Sequence, residues 1–168
     1  MNLDPKDGGA WINQGNALYG LEKYEQSLEA YEEALKLDIR NIKAWKYKGS
    51  AMGHLGKHTE ALEAFEEALQ LDSKDDGAWK YKGDALYCLG KYTEALEAFE
   101  EALQLDPKNA IVLYKLACVY SKVQKTDLCL DYLKQAIIID EKLKKECIKD
   151  PDFDNVRMDP RFKSLIDI

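Results

Sequence analysis

The chain has 168 residues, a formal net charge of −7 and a sequence pI near 5.0. Apolar residues make up 46% and charged residues 33%, enough for a core of ordinary single-domain size and too apolar for a disordered chain. The acidic balance argues against a nucleic-acid binder, which needs a basic patch to neutralise phosphates, and the longest apolar runs (Ala136–Ile139, for example) are only a few residues, against about 20 needed to cross a bilayer.

In chain order, the opening "MNLDPKDGGAW" carries no charged leader followed by an apolar stretch, so no signal peptide is expected. "NLDPKDGG" matches the end of a later repeat and its linker, "QLDPKNA" at 104–110. A helix should precede it. Two readings follow: a piece of a longer array, or a natural start whose first helix tolerates an open face. In the first case the surface around Trp11 is apolar, exposed and able to self-associate.

The rest of the chain is periodic. Trp11, Trp45, Trp79 and Leu113 are 34 residues apart, and segments 42–71 and 76–105 are identical at 23 of 30 positions. "TEALEAFEEALQL" recurs unchanged at 59–71 and 93–105; "EQSLEAYEEALKL" at 25–37 and "TDLCLDYLKQAII" at 126–138 are looser copies. Each unit predicts two helices: first helices over 8–21, 42–55, 76–89 and 110–123, and second helices over 24–37, 58–71, 92–105 and 126–139. Apolar residues three and four apart give each helix one apolar face, as in Ala61, Leu62, Phe65, Ala68 and Leu69. Gly56 breaks the pair at "LGK", and "LDIRN", "LDSKDD" and "LDPKN" stop one unit and cap the next.

These units resemble tetratricopeptide (TPR) repeats. Trp79, Gly83, Ala95, Phe99, Ala102 and Pro107 match that family's marks, and the likeness covers roughly residues 4–140 as four repeats, 8–41, 42–75, 76–109 and 110–140. Gln14, Lys48 and Lys82 replace an expected leucine, Ser27 and Cys129 an alanine, and Leu113 and Ala117 make the fourth unit the least typical. The resemblance implies an all-α, right-handed superhelical solenoid, with first helices on the concave side and second helices on the convex side. An isolated pair cannot bury its apolar face, so units must stack.

The tail breaks the period. "EKLKKECIK" at 141–149 predicts a helix, and in "DPDF" at 150–153 and "DPRF" at 159–162 aspartate caps and proline opens a further turn. Phe153, Phe162, Leu165 and Ile166 are placed to fold back as a lid over the last repeat. A docking motif is the alternative. Similar endings follow such arrays in other microbial proteins.

The first helices carry +5 and the second helices −12. By the resemblance, Lys46, Tyr47, Lys80, Tyr81, Tyr114 and Lys115 face the groove, joined by Asn13, Asn16, Tyr19, Ser50, Asp84 and Tyr87. Tyrosine offers contact area with a hydroxyl, and lysine attracts carboxylates. The partner implied is a protein or peptide, an acidic one among the candidates. Lys48 and Lys82 should lay their stems over the core edge with their heads in water. The rival reading is a solvated face that keeps the array soluble. Some family members grip an acidic C-terminus with a lysine/asparagine clamp, but Ile12, Tyr47, Gly77 and Tyr81 stand at clamp positions here, and that ligand is not expected.

No catalytic motif appears, and no cofactor is expected. His54 and His58 are four apart, but Gly56 interrupts the helix between them, so no metal site is expected. The cysteines Cys88, Cys118, Cys129 and Cys147 form no CxxC pair and read as reduced thiols of a cytoplasmic protein. The expectation is a non-enzymatic interaction scaffold. The alternatives are a self-associating structural module and a helical-repeat binder of single-stranded RNA.

Overall fold

A computed structural model describes residues 6–166, and every regular element among them is helical. The sequence motif at residues 2–5 lies outside the described residues. The elements are α1 (Gly8–Gly20), α2 (Tyr24–Leu37), α3 (Ile42–His54), α4 (His58–Leu71), α5 (Asp76–Cys88), α6 (Tyr92–Leu105), α7 (Ala110–Lys122), α8 (Thr126–Ile139), α9 (Leu143–Cys147), a 3-10 turn (Pro151–Phe153) and α10 (Pro160–Leu165). The chain divides into two compact units, Met1–Gly90 and Lys91–Ile168. The break falls between α5 and α6, inside the third 34-residue repeat. A repeat array allows such a division because each element touches only its neighbours.

The helix starts follow from local chemistry. Asp7, Asn41, Asp75 and Asn109 precede the first helices, and each side chain accepts a hydrogen bond from the backbone N–H three residues on, at 2.8–3.2 Å. That satisfies one orphan donor of each helix. The second helices begin after Lys23, Lys57, Lys91 and Lys125, with no side-chain cap. The turns between paired helices require a left-handed residue. Gly56 (φ 74°) and Gly90 (φ 72°) supply it, and Glu22 (φ 58°) and Gln124 (φ 59°) adopt it at the equivalent places without glycine's freedom.

In the first unit α1 pairs with α2 and α3 with α4, and α5 closes against α4. Small residues set the approach: Ala44, Ala61, Ala68 and Ala78 are fully buried. Gly49 lies under Phe65, where an added Cβ would meet three ring carbons at 2.6–2.9 Å. Gly15 lies under Tyr31 in the same way. The tryptophans fasten the loops between repeats: Trp45 donates to the Ile39 carbonyl at 2.8 Å and Trp79 to the Ser73 carbonyl at 2.9 Å.

In the second unit α7 is buried almost all round, from Val112 to Ser121. It packs on α6, on α8 and on the tail. Phe153 and Phe162 are fully buried and lie 6.0 Å apart. Asp150 and Asp159 cap the turns opened by Pro151 and Pro160, accepting from Asp152 N at 2.9 Å and Arg161 N at 2.8 Å. Polar bonds complete the seam. Ser121 donates to the Asp152 carbonyl, Asn155 Nδ2 donates to the Ser121 carbonyl at 2.7 Å, and Lys122 pairs with Asp152 at 2.7 Å. At the outer edge Arg161 bridges Asp159 and Asp127.

Candidate functional site

The site residues on the first unit belong to α1, α3 and α5. Asn13 and Asn16 are exposed on α1, and the other candidate site residues of the first unit are half-buried. Asn16 accepts from the Tyr31 hydroxyl at 2.8 Å, which ties α1 to α2. Tyr47 lies 5.7 Å from Tyr31, ring to ring, and Tyr81 stacks on Phe65 at 5.5 Å and 19°. Tyr47 and Tyr81 thus each rest on the aromatic side chain of the second helix before them.

The lysines of the two WKYKG segments have distinct fates. Lys46 pairs with Asp75 at 2.7 Å, with side chains 19% and 16% exposed. Because Asp75 also caps α5, this pair locks α3 to the start of α5. Lys48 and Lys82 stretch over Trp45 and Trp79 as expected, but their heads end on carboxylates of the preceding second helix rather than in water. The partners are Glu32 at 3.3 Å and Glu66 at 3.0 Å. A half-buried ammonium beside a carboxylate gains more from the pair than from incomplete hydration. Lys80 sits over the Tyr81 ring, 3.9 Å from its centroid.

A cavity of about 290 Å³ opens on this face. Its lining includes Tyr19 from α1, Ser50 and Gly53 from α3, Phe65 from α4, and Tyr81 and Asp84 from α5. His54, His58 and Cys88, which the sequence reading did not assign to the groove, also line it. Burial, followed by the neighbouring Tyr81 hydroxyl, holds the Tyr19 phenol above its ordinary value. Tyr19 also meets Tyr24 and His54 edge to face, each at 5.3 Å. Tyr87 follows one turn after Asp84 on α5.

On the second unit Tyr114 and Lys115 sit side by side on α7. Tyr114 is buried, donates its hydroxyl to Asp150 Oδ2 at 2.7 Å, and meets Phe153 edge to face. Burial first, and then the bond to Asp150, raise its pKa well above that of an ordinary phenol. The tail therefore covers the Tyr114 position.

Among the described residues one group brings three ligand-type atoms together: Cys118, Asp150 and Asp152. Its oxygens already serve Tyr114, the Asp152 amide and Lys122, and burial pushes the Cys118 thiol far up. It works as a hydrogen-bonded seam. His54 and His58 join no such group among the described residues. Nor is any described helix long and apolar enough to cross a membrane.

The 34-residue helix pairs, the small residues at their crossings and the capped loops define a TPR protein, and the chain belongs to the tetratricopeptide repeat family. Family profiles described as tetratricopeptide repeat match residues 12–76 and 110–143, and one described as TPR repeat matches 83–124. The fold class is that of an all-α TPR solenoid. Among solved structures, MamA aligns at TM-score 0.76 and 21% identity, covering 84% of this chain and 83% of that one. YrrB, described as a TPR protein with an unusual peptide-binding site, aligns at TM-score 0.74 and 19% identity, covering 98% and 85%. The first TPR domain of Spaghetti (RPAP3), bound to the HSP90 peptide SRMEEVD, aligns at TM-score 0.69 and 23% identity, covering 73% and 99%. Comparison with curated proteins found no match.

Proposed function

We propose that this chain is a non-enzymatic scaffold that captures a segment of a partner protein on the face formed by α1, α3 and α5. One observation carries the reading: that face holds a cavity lined by tyrosines and by polar side chains of three successive first helices. Amphipathic rings offer contact area at low entropic cost. The similar folds of YrrB, with its peptide-binding site, and of the Spaghetti domain, with its bound peptide, support the same use. With Lys46, Lys48 and Lys82 already paired, recognition falls mainly to the tyrosines and the cavity, with Lys80 as the cation that favours an acidic segment. On the second unit Tyr114 and Lys115 hold the equivalent sequence positions on α7, but Tyr114 is buried with its hydroxyl on Asp150 and takes no part in this capture.

The test is capture from a lysate by the wild type and by a Lys80→Ala/Tyr81→Ala variant shown to be folded by circular dichroism. Glu63→Ala/Glu67→Ala on α4 serves as control. A protein lost with the first variant and kept by the control is expected. An identical catch with all three would refute the groove assignment.

Self-association is a second reading with its own observation. Ala17 on α1 is exposed, whereas its equivalents Ala51 and Ala85 are 0% and 5% exposed under the preceding second helix. A second copy could cover this face. Sedimentation equilibrium should then show a mass that rises with concentration and falls back with Ala17→Glu. A constant monomer mass would refute it.

A further inference from the structure

The second and third repeats are identical at most positions, and one difference shapes the cavity. Position 53 is glycine, where the first and third repeats carry Tyr19 and Tyr87. A Cβ built on Gly53 meets nothing within 4 Å. The side-chain position at Gly53 therefore opens onto free space, and the cavity lies beside it. In the first repeat Tyr19 packs edge to face on Tyr24. The equivalent of Tyr24 in the second repeat is His58, which lines the cavity with no such ring from its own repeat.

A second pair of differences leaves a polar group behind. In the first repeat the Tyr31 hydroxyl donates to Asn16 at 2.8 Å. In the second repeat the same two positions are Phe65 and Ser50. Phe65 has no hydroxyl to give, and Ser50 Oγ is buried with no hydrogen-bond partner among the described residues. Leaving such a group unpaired carries a desolvation penalty. Ser50 and Gly53 are three apart on α3 and so share a helix face. Both line the cavity. At about 290 Å³ the space matches about ten waters, the scale of one side chain rather than a drug-sized ligand.

We infer that this cavity is a docking site for a tyrosine side chain presented by the partner polypeptide. The incoming ring takes the place that Tyr19 and Tyr87 take in their own repeats, against His58 and Phe65. Its hydroxyl pairs with Ser50 and restores the kind of bond that Tyr31 makes with Asn16. The inference rests on the groove reading above and specifies one anchor within it.

The experiment titrates the whole chain with N-acetyl-tyrosinamide, followed by amide shifts in two-dimensional NMR, with N-acetyl-phenylalaninamide and N-acetyl-argininamide as comparison probes. Saturable shifts at Gly49, Gly53 and Ala85 are expected with the tyrosine probe. The phenylalanine probe should bind about fivefold more weakly, the worth of one hydrogen bond near 1 kcal/mol. Ser50→Ala should bring the two probes level, and Gly53→Tyr should abolish the shifts. Gly53→Tyr faces open space and should fold, which circular dichroism checks. No saturable shift, equal binding of the two aromatic probes to the wild type, preference for the arginine probe, or unchanged binding to Gly53→Tyr would each overturn the inference. The groove reading fails separately: lysate capture lost in Lys80→Ala/Tyr81→Ala but kept in Gly53→Tyr would sink the tyrosine pocket and leave the groove standing.

Discussion

Gly49→Ala and Gly53→Ala are the same chemical change four residues apart on α3, and the structure gives them opposite signs. Alanine is favoured over glycine in a helix interior by about 1 kcal/mol. At Gly49 that gain meets a wall. The new methyl would lie 2.6, 2.8 and 2.9 Å from three carbons of the Phe65 ring. Phe65 is 3% exposed and is stacked on Tyr81, so the ring cannot step aside cheaply. Overpacking of this kind costs about 2–3 kcal/mol, leaving Gly49→Ala destabilised by about 1–2 kcal/mol. At about 4–8 °C per kcal/mol for a domain of this unit's size, the melting temperature should fall by about 5–15 °C. Gly53→Ala meets nothing within 4 Å and should gain about 0.5–1 kcal/mol. The assay is thermal and urea unfolding followed by circular dichroism, with Phe65→Leu added to each variant. The shorter side chain should recover part of the Gly49→Ala loss, because the two sites are in contact and their effects do not add. A neutral or stabilising Gly49→Ala, or equal shifts for the two glycines, would refute the packing argument.

Other outcomes follow from the same coordinates. Glu22→Gly should raise stability by about 1 kcal/mol, since Glu22 holds a left-handed turn that glycine adopts without a steric penalty; unchanged urea midpoints would contradict this. Removing residues 150–168 strips Phe153 and Phe162 from α7 and α8. Each buried ring is worth about 1.5–3 kcal/mol, so the second unit should melt earlier or aggregate, and an unchanged melting curve would show that the tail is no cap. Maleimide should label Cys88, the exposed thiol, in the native protein. Burial holds Cys129 up to about 12 and Cys147 up to about 11, and both should react only on unfolding; full labelling of the native chain would refute their burial. These raised thiols and the raised Tyr114 phenol also set an alkaline limit. Their neutral forms keep their full contribution below the unfolded values of 9.0 and 10.0. The contribution is lost as pH climbs from there toward the folded values, so urea midpoints should fall from pH 9.0 up to about 11, and a flat profile would count against it.

The helices, their pairing and their faces were legible from the sequence because short-range chemistry sets them. A carboxylate or amide caps the N–H three residues away, glycine relieves a left-handed turn, and a 3.6-residue period gathers alanines onto one side. The eight repeat helices begin and end within about two residues of where those signals place them. What the side chains of "WKYKG" do was not legible, because each choice depends on a group distant in sequence. Lys46 finds Asp75 across 29 residues, and Lys48 reaches Glu32. Tyr114 looks like a groove residue by its place in the period, yet its hydroxyl is held by Asp150, 36 residues on, in a segment outside the repeat. The cavity lies between these cases. Gly53 stands in the sequence between Tyr19 and Tyr87 of the flanking repeats, but whether its space stays open is a matter of how α1, α3, α4 and α5 pack. Local propensity and period fix which helix forms and which face it buries; only the tertiary structure decides which charges pair, which ring is covered and which space stays open, because those outcomes are set by distances between elements that the chain brings together only on folding.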